Sequence, residues 1–133
     1  MLFSTFVFSQ QVDYRSIKPP EGKSLIYIVR PSIYGIAMKF DVFCNGKSMG
    51  TTKGKQFLFI ILEPGEQIIM NKAENKDAIT LKTEPNKTYF IKQKIKTGAL
   101  SARSKLILLN PNEGREALMK CKLSKKNVYI YNN

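Results

Sequence analysis

Apolar and polar residues alternate along several short stretches of the chain, a pattern that is typical of β-strands with one buried face. Residues 38–44 carry an apolar side chain at every second position, from Met38 to Cys44, and Asn45-Gly46 follows directly. Both central residues of a type I′ turn need positive φ, which Asn-Gly adopts readily. Residues 38–52 therefore predict a β-hairpin whose first strand points Met38 and Cys44 toward the core.

Residues 56–62, Gln-Phe-Leu-Phe-Ile-Ile-Leu, are apolar on both faces of the strand that they predict. Such a strand needs cover on each side, from a second layer of the fold or from a partner. We therefore expect it at the centre of its sheet.

Similar patterns and turn residues indicate further strands along the rest of the chain. They are expected over 23–30, 67–73, 78–83, 88–96, 105–109 and 128–131. Asn110-Pro111-Asn112-Glu113 predicts the capped start of a short helix near the C-terminus. About eight strands and one late helix favour a mostly β fold, an immunoglobulin-like β-sandwich, with an open barrel as the alternative.

The first nine residues form an apolar segment without charge, which resembles the end of a signal peptide. Val7 and Ser9 fit the −3 and −1 positions of a signal-peptidase site, so we expect cleavage before Gln10 and export to the periplasm or the exterior. An ordinary first strand is the alternative. Because no basic region precedes the apolar run, we expect translation to start upstream of Met1.

The domain boundaries expected from these features are simple. A signal-peptide remnant covers 1–9, a leader covers 10–22, and a single sandwich domain covers 23–133. No Cys follows the apolar run, so we expect the exported protein to lack a lipid anchor.

The 133 residues include 18 Lys and 4 Arg against 10 Asp and Glu, which gives a net charge of +12. Positive charge of this size favours anionic partners such as lipid headgroups, acidic glycans or nucleic acid. The excess of Lys over Arg argues against base-specific recognition, for which Arg is the usual residue. A lysine-rich surface that is merely solvated is the alternative.

Residue types that carry common enzyme chemistry are scarce in this chain. His is absent, and with it the commonest general base and zinc ligand at neutral pH. No phosphate-binding loop, catalytic triad or close pair of carboxylates is recognisable. We therefore expect a protein that is not an enzyme and that has no metal or other cofactor.

Five short motifs follow one another between Lys23 and Leu123. They are the segments 26–31, 45–50, 62–66, 88–92 and 109–114. In this order they resemble a family of uncharacterised bacterial envelope domains of unknown function that is common in lipoproteins, and the middle part is similar to the PEGA module of surface proteins. The resemblance implies a β-sandwich at the cell envelope, with no known activity and no catalytic residues.

Three groups of side chains are candidates for a special role. Cys44 and Cys121 both fall on predicted inward faces, where they form either a disulfide or two buried free thiols. One strand face carries Lys92, Lys94 and Lys96, for contact with an anionic lipid or glycan surface or simply with solvent. Arg30 ends the first strand, where we expect a structural role such as an ion pair with Glu63 or Glu66.

Two classes of function are compatible with these features. The favoured hypothesis is an exported interaction or structural module that binds an envelope protein or surface polymer through strand edges or loops. The alternative is a cytoplasmic, open-barrel protein that binds nucleic acid through basic and aromatic residues. A cleaved leader would exclude this alternative, so nucleic acid is the less favoured partner.

Overall fold

The computed structural model describes residues 12–73, 75–96 and 103–124. Over these ranges the chain forms nine strands in two sheets and one α-helix, which confirms the expected mostly β, sandwich-like fold. The strands are β1 (Ser24–Arg30), β2 (Phe40–Cys44), β3 (Lys47–Thr52), β4 (Gln56–Leu62), β5 (Gly65–Lys72), β6 (Lys76–Thr83), β7 (Thr88–Lys96), β8 (Arg103–Leu109) and β9 (Lys122–Leu123). The helix is α1 (Pro111–Leu118), and a short 3-10 helix, Tyr14–Ser16, precedes β1.

The two sheets differ in how their strands are connected. The five-stranded sheet has the order β8-β7-β1-β4-β9, and the four-stranded sheet has the order β3-β2-β5-β6. In the centre of the larger sheet, β1 pairs antiparallel with β4 and parallel with β7. The β2–β3 and β5–β6 pairs are hairpins, and Asn45 and Gly46 have φ of 52° and 84° as the predicted type I′ turn requires.

The central strands β1 and β4 are covered on both faces, as the doubly apolar segment 56–62 predicted. One face packs against the four-stranded sheet and the other against α1. The core between the sheets includes Ile26, Ile28, Val42, Cys44, Leu58, Ile60 and Ile69. The core under α1 is largely aromatic and includes Tyr27, Phe57, Phe59, Phe90 and Leu118.

The segment before β1 also packs on the domain. The ring of Tyr14 stacks on Phe59 with 5.3 Å between centroids, and the Tyr27 hydroxyl donates to the Tyr14 carbonyl oxygen. Ile17 contacts the aromatic core beside α1. The packed structure therefore begins before residue 23, whereas the expected signal remnant and its cleavage before Gln10 lie outside the described residues and stay predictions.

Helix α1 begins as its sequence predicted. The Asn110 side chain accepts a hydrogen bond from the Glu113 backbone N–H at 2.8 Å, and the Glu113 carboxylate accepts one from the Asn110 N–H. Gly114, Ala117 and Leu118 form the buried face of the helix, which lies on β7. Gly114 is needed there because an added Cβ would overlap the ring of Phe90.

Several local predictions differ from the structure, and β5, β6 and β8 each begin two residues earlier than expected. The first strand of the hairpin begins at Phe40 rather than Met38, because the Met38 carbonyl is held by Arg30 instead of a neighbouring strand, and 37% of Met38 is exposed. The two-residue strand β9 carries no alternation and was not predicted. The strand expected over 128–131 lies outside the described residues.

The strands run between two ends of the sandwich. We call the end at which β1 and β7 finish the loop end; it carries residues 31–39, the β3–β4 turn and the β5–β6 turn. The opposite end, the turn end, carries the β2–β3, β4–β5 and β6–β7 turns.

At the loop end the two sheets are joined along the outer edge of β8. The Asn75 side chain accepts from the Ser104 N–H and donates to the Ser104 carbonyl, while the Asp77 carboxylate accepts from the Leu106 N–H at 2.7 Å. These bonds occupy backbone groups of an edge strand that would otherwise be free to pair with another chain.

Candidate functional site

The outer face of the β7–β8 hairpin is rich in cations. Because alternate residues share a face, β7 places Lys92 and Lys94 there beyond Phe90, as the sequence predicted. The backbone register sets Lys94 opposite Lys105 and Lys96 opposite Arg103. We call the side chains of Lys92, Lys94, Arg103 and Lys105 the basic face; the side chain of Lys96 lies outside the described part of the structure.

The members of the basic face differ in their surroundings. Lys94, Arg103 and Lys105 are exposed, whereas Lys92 is half-buried beside a recess of about 200 Å³ that is also lined by Glu113 and Glu116 of α1. None of the four has a carboxylate oxygen within 4 Å among the residues whose positions are described.

Arg103 and Lys105 were not singled out from the sequence. Their alternation along β8 was visible, but their position beside Lys94 depends on the pairing register of β7 and β8, which alternation alone does not give. Like charges placed opposite one another on a sheet destabilise it. An anion bound to this face would relieve that repulsion.

Arg30 is fully buried in a structural role, and no carboxylate of the described residues pairs with it. Its guanidinium donates to the carbonyl oxygens of Met38 at 2.5 Å, Thr52 at 2.9 Å and Gly35 at 2.8 Å. It also lies 3.9 Å from the centroid of the Phe40 ring. Burial lowers the pKa of Arg30 to about 10, so the side chain stays charged at neutral pH.

The predicted ion pair between Arg30 and Glu63 or Glu66 is wrong. Both glutamates belong to the turn end, where the Glu63 carboxylate binds the Lys23 ammonium. Arg30 lies at the loop end because it is the last residue of β1. The length of β1 therefore separates Arg30 from Glu63 and Glu66.

A chain of buried polar side chains continues from Arg30 across the two sheets. The Thr52 hydroxyl donates to the Gln93 side-chain oxygen at 2.6 Å, and the Gln93 amide donates to the Asn71 side-chain oxygen. The Asn71 amide in turn donates to the Ser104 hydroxyl. All four side chains are almost completely buried, so their hydrogen bonds fix the two sheets at the loop end rather than offer a reactive group to solvent.

Cys44 and Cys121 are free thiols on opposite faces of the five-stranded sheet. Cys44 lies between the two sheets, and Cys121 lies in the aromatic core beside α1. The sheet separates them, so the disulfide is not formed and the alternative of two buried thiols describes the structure. Burial raises the pKa of each thiol to about 11.

The described ranges contain neither a metal-binding cluster nor a membrane-spanning helix. No three Cys, Asp or Glu side chains come together there in a way that could hold a metal ion. The helical segments in these ranges are too short and too polar for any of them to cross a bilayer.

Residues 20–106 match a family described as "Protein of unknown function (DUF2846)". The chain belongs to the DUF2846 family. The DUF2846 match runs from just before β1 into β8, so it includes Arg30, Lys92, Lys94 and Lys105. The resemblance to a domain family of unknown function is thereby confirmed, and the likeness to PEGA modules stays a prediction.

One curated relative shares this sequence region. An uncharacterised protein of Haemophilus influenzae is 32% identical over 108 residues, which are 80% of this chain and 64% of that protein. The DUF2846 chain thus spans about two thirds of the length of this relative. No solved structure matches the chain.

Proposed function

We propose that this DUF2846 chain is a non-catalytic interaction module of the bacterial envelope that binds an anionic partner through its basic face. The observation that carries the proposal is the register of β7 and β8, which sets exposed Lys94 directly opposite exposed Lys105. Within the described part of the chain, neither ammonium has a carboxylate oxygen within 4 Å.

Lysine suits a partner that is recognised by charge rather than by shape. Its ammonium group is a compact point charge on a flexible stem, so it can bind phosphate or carboxylate groups in many orientations. The exposed cations stand side by side on a rigid hairpin, and their attraction for a polyanion adds up without a preformed pocket.

The envelope location and the absence of catalysis rest on the sequence. The apolar segment before Gln10 supports export, and the likeness of the five motifs to envelope domains points to the same compartment. The lack of His supports a binding role. The buried chain from Thr52 to Ser104 is consistent with that role, because it is closed to a substrate.

Nucleic acid has less support as the partner. Proteins that bind single strands stack the bases on exposed aromatic side chains of a sheet. Here the aromatic residues of the central strands are enclosed beneath α1, and Tyr27, Phe57, Phe59 and Phe90 are at most 2% exposed.

A charge-matched pair of variants tests the proposal. Lys94→Gln with Lys105→Gln removes two charges from the basic face, and Lys18→Gln with Lys82→Gln removes two exposed charges elsewhere. Retention is measured on phosphatidylglycerol vesicles and on heparin, at about 0.1 M salt. We expect the first variant to bind more weakly than the unaltered chain, by several-fold for each lysine removed. The reason is that one lysine near an anionic surface contributes about 1 kcal/mol.

The control variant should retain most of the binding. Equal weakening of both variants would mean that only the net charge matters, and a complete lack of retention of the unaltered chain on both probes would refute the proposed function.

A further inference from the structure

The loop that follows β1 exposes an unusual concentration of apolar side chains. Ile33, Tyr34 and Ile36 are 63%, 58% and 51% exposed, and Met38 adds to them. Residues 31–38 contain no charged residue although the chain as a whole has 32. In water these side chains gain nothing from their exposure, so their grouping on one loop points to a partner.

The loop is held in place by the body of the domain. Arg30 donates to the carbonyls of Gly35 and Met38, and the Gly54 N–H donates to the Ile36 carbonyl at 2.9 Å. The Met38 N–H closes a turn by donating to the Gly35 carbonyl. Carbonyl groups of the loop thus have partners inside the protein, which is what an apolar environment demands of a backbone.

Lysines lie near this apolar loop. The β3–β4 turn, which carries Lys53 and Lys55, touches it, because a Cβ at Gly54 would meet the backbone of Ile36. On the other side a Cβ at Gly35 would lie 3.3 Å from Ile95 near the end of β7, and the adjacent Lys94 points to the opposite face of that strand. The apolar loop and the basic face therefore share the loop end.

The charge of the loop end is strongly one-sided. Its strand ends and turns carry Lys39, Lys53, Lys55, Lys72, Lys76, Lys94, Arg103 and Lys105. The acidic residues described on these strand ends and turns are Asp41 and Asp77, and Glu74 belongs to the same β5–β6 turn in the sequence. Glu116 of α1 lies beside Pro31, where the apolar loop begins. Lys72 stands opposite Lys76 in the register, which repeats the juxtaposition of Lys94 and Lys105.

We propose that the loop end docks on an anionic lipid bilayer, with Ile33, Tyr34 and Ile36 inserted among the headgroups and the surrounding lysines bound to lipid phosphates. This inference rests on the proposed function and names its partner. A bilayer interface can bind both the apolar and the charged side chains of the loop end. Hydrocarbon accepts the isoleucines, the headgroup region favours Tyr, and anionic lipids attract Lys.

Other occupants fit only half of this surface. A soluble acidic polysaccharide or a nucleic-acid backbone would neutralise the lysines but would leave the isoleucines in water. A second copy of the chain would cover the isoleucines, but it would bring two lysine-rich ends together, and like charges across an interface oppose association.

The first test compares two double variants that remove equally large, exposed apolar side chains. Ile33→Ser with Ile36→Ser alters the loop. Ile68→Ser with Leu108→Ser alters two residues outside the loop, each of which is 49% exposed. Binding is measured by sedimentation with vesicles of phosphatidylglycerol and phosphatidylcholine. We expect the loop variant to bind at least about tenfold more weakly, and the control variant to bind as the unaltered chain does.

The second test uses fluorescence, for which the chain is well suited because it has no Trp. Tyr34→Trp should show a blue shift on anionic vesicles and quenching by brominated lipid tails, whereas Ile68→Trp should show neither. Phosphatidylcholine vesicles alone should give a much smaller shift at both positions.

The outcomes separate this inference from the proposed function. If the unaltered chain and the loop variant, Ile33→Ser with Ile36→Ser, bind vesicles and heparin equally well, insertion of the loop is refuted. The basic face alone would then account for the binding of polyanions. If sedimentation velocity shows a dimer that the same variant abolishes, and Tyr34→Trp gives no shift on vesicles, the apolar loop is a self-association surface instead. If nothing binds to either probe, both proposals fail.

Discussion

At the residue scale, Arg30 shows how a buried cation is accommodated without a carboxylate. Three backbone carbonyl oxygens accept its hydrogen bonds, and the face of Phe40 lies against it. These contacts link the end of β1 to β3 and to the loop beyond. Arg30 therefore joins the interior of the sandwich to the exposed loop end.

Replacing Arg30 with Met is expected to lower the free energy of unfolding by about 3 kcal/mol or more. The volume is largely kept, but the carbonyls of Met38 and Thr52 lose the Arg30 donor, while the Gly35 carbonyl keeps the Met38 N–H. An unsatisfied buried polar group costs roughly 1–3 kcal/mol. Urea denaturation measures the change. Arg103→Met at an exposed site should change stability by less than about 0.5 kcal/mol, and equal stability of the two variants would contradict the role of Arg30.

The two buried thiols should make the fold sensitive to alkali. Their pKa is raised by burial from 9.0 to about 11, so each favours the folded state below pH 9. As the pH rises from 9 to 11 the thiols ionise only in the unfolded chain, and this contribution is lost. Stability should therefore fall with pH across this window.

Denaturation at several pH values between 8 and 11 checks this expectation. Cys44→Ala with Cys121→Ala should be less stable at pH 8 but should have a shallower dependence on pH, because no thiol is left to ionise in the unfolded chain. An unchanged slope would show that the thiols do not contribute.

At the element scale, the sequence was most informative where a signal is local. The strand over 56–62 was predicted with the bounds that the structure shows, and the Asn45-Gly46 turn and the start of α1 were confirmed. Each of these depends on side-chain alternation, backbone conformation or capping within a few residues. β9 has only two residues and carries no such pattern.

Pairings between distant strands were not predictable in this way. No short stretch of the sequence indicates the parallel pairing of β1 with β7 or the register that brings Lys105 beside Lys94. The sequence contained one indication of the apolar loop, the absence of charge over 31–38. The prediction of a strand from Met38 assigned that residue to the core instead of to the loop. Gln93 and Asn71 stood at inward positions, and polar residues there were a sign of the buried hydrogen-bonded chain.

Gly114 in α1 should respond to substitution in the opposite sense to an ordinary helical glycine. Gly→Ala in an exposed helix usually adds up to about 1 kcal/mol of stability. Here the new Cβ would overlap the Phe90 ring, and overpacking of this kind costs typically about 1–3 kcal/mol. We therefore expect Gly114→Ala to lower the thermal midpoint, whereas Asn112→Ala at an exposed position of the same helix should leave it nearly unchanged; a stabilised Gly114→Ala would contradict the close packing.

At the scale of the whole molecule, the charges are distributed unevenly. The turn end has Glu21, Glu63, Glu66 and Glu84 beside its lysines, and it contains the ion pairs Lys23–Glu63 and Lys87–Glu84. The loop end has eight cations and only Asp41, Asp77 and Glu74 as acids on its strand ends and turns. The excess of positive charge is therefore larger on the side of the molecule that exposes the apolar loop than at the turn end.

Salt should stabilise this protein, because screening weakens the repulsion within the loop end. We expect the thermal midpoint to rise by a few degrees between about 10 and 300 mM sodium chloride, which corresponds to roughly 1 kcal/mol. Lys94→Gln with Lys105→Gln should raise the midpoint at low salt and reduce its dependence on salt. A midpoint that falls with salt would mean that attractive ion pairs dominate.

The parallel pairing of β1 with β7 has a consequence for how the chain acquires its structure. Leu25 lies opposite Thr88, so the central strand of the larger sheet gains its second neighbour only after the whole four-stranded sheet has been synthesised. Contacts between such distant positions slow the search for the native state. A nascent chain emerging from the ribosome would thus hold its most apolar strands incompletely paired for much of translation.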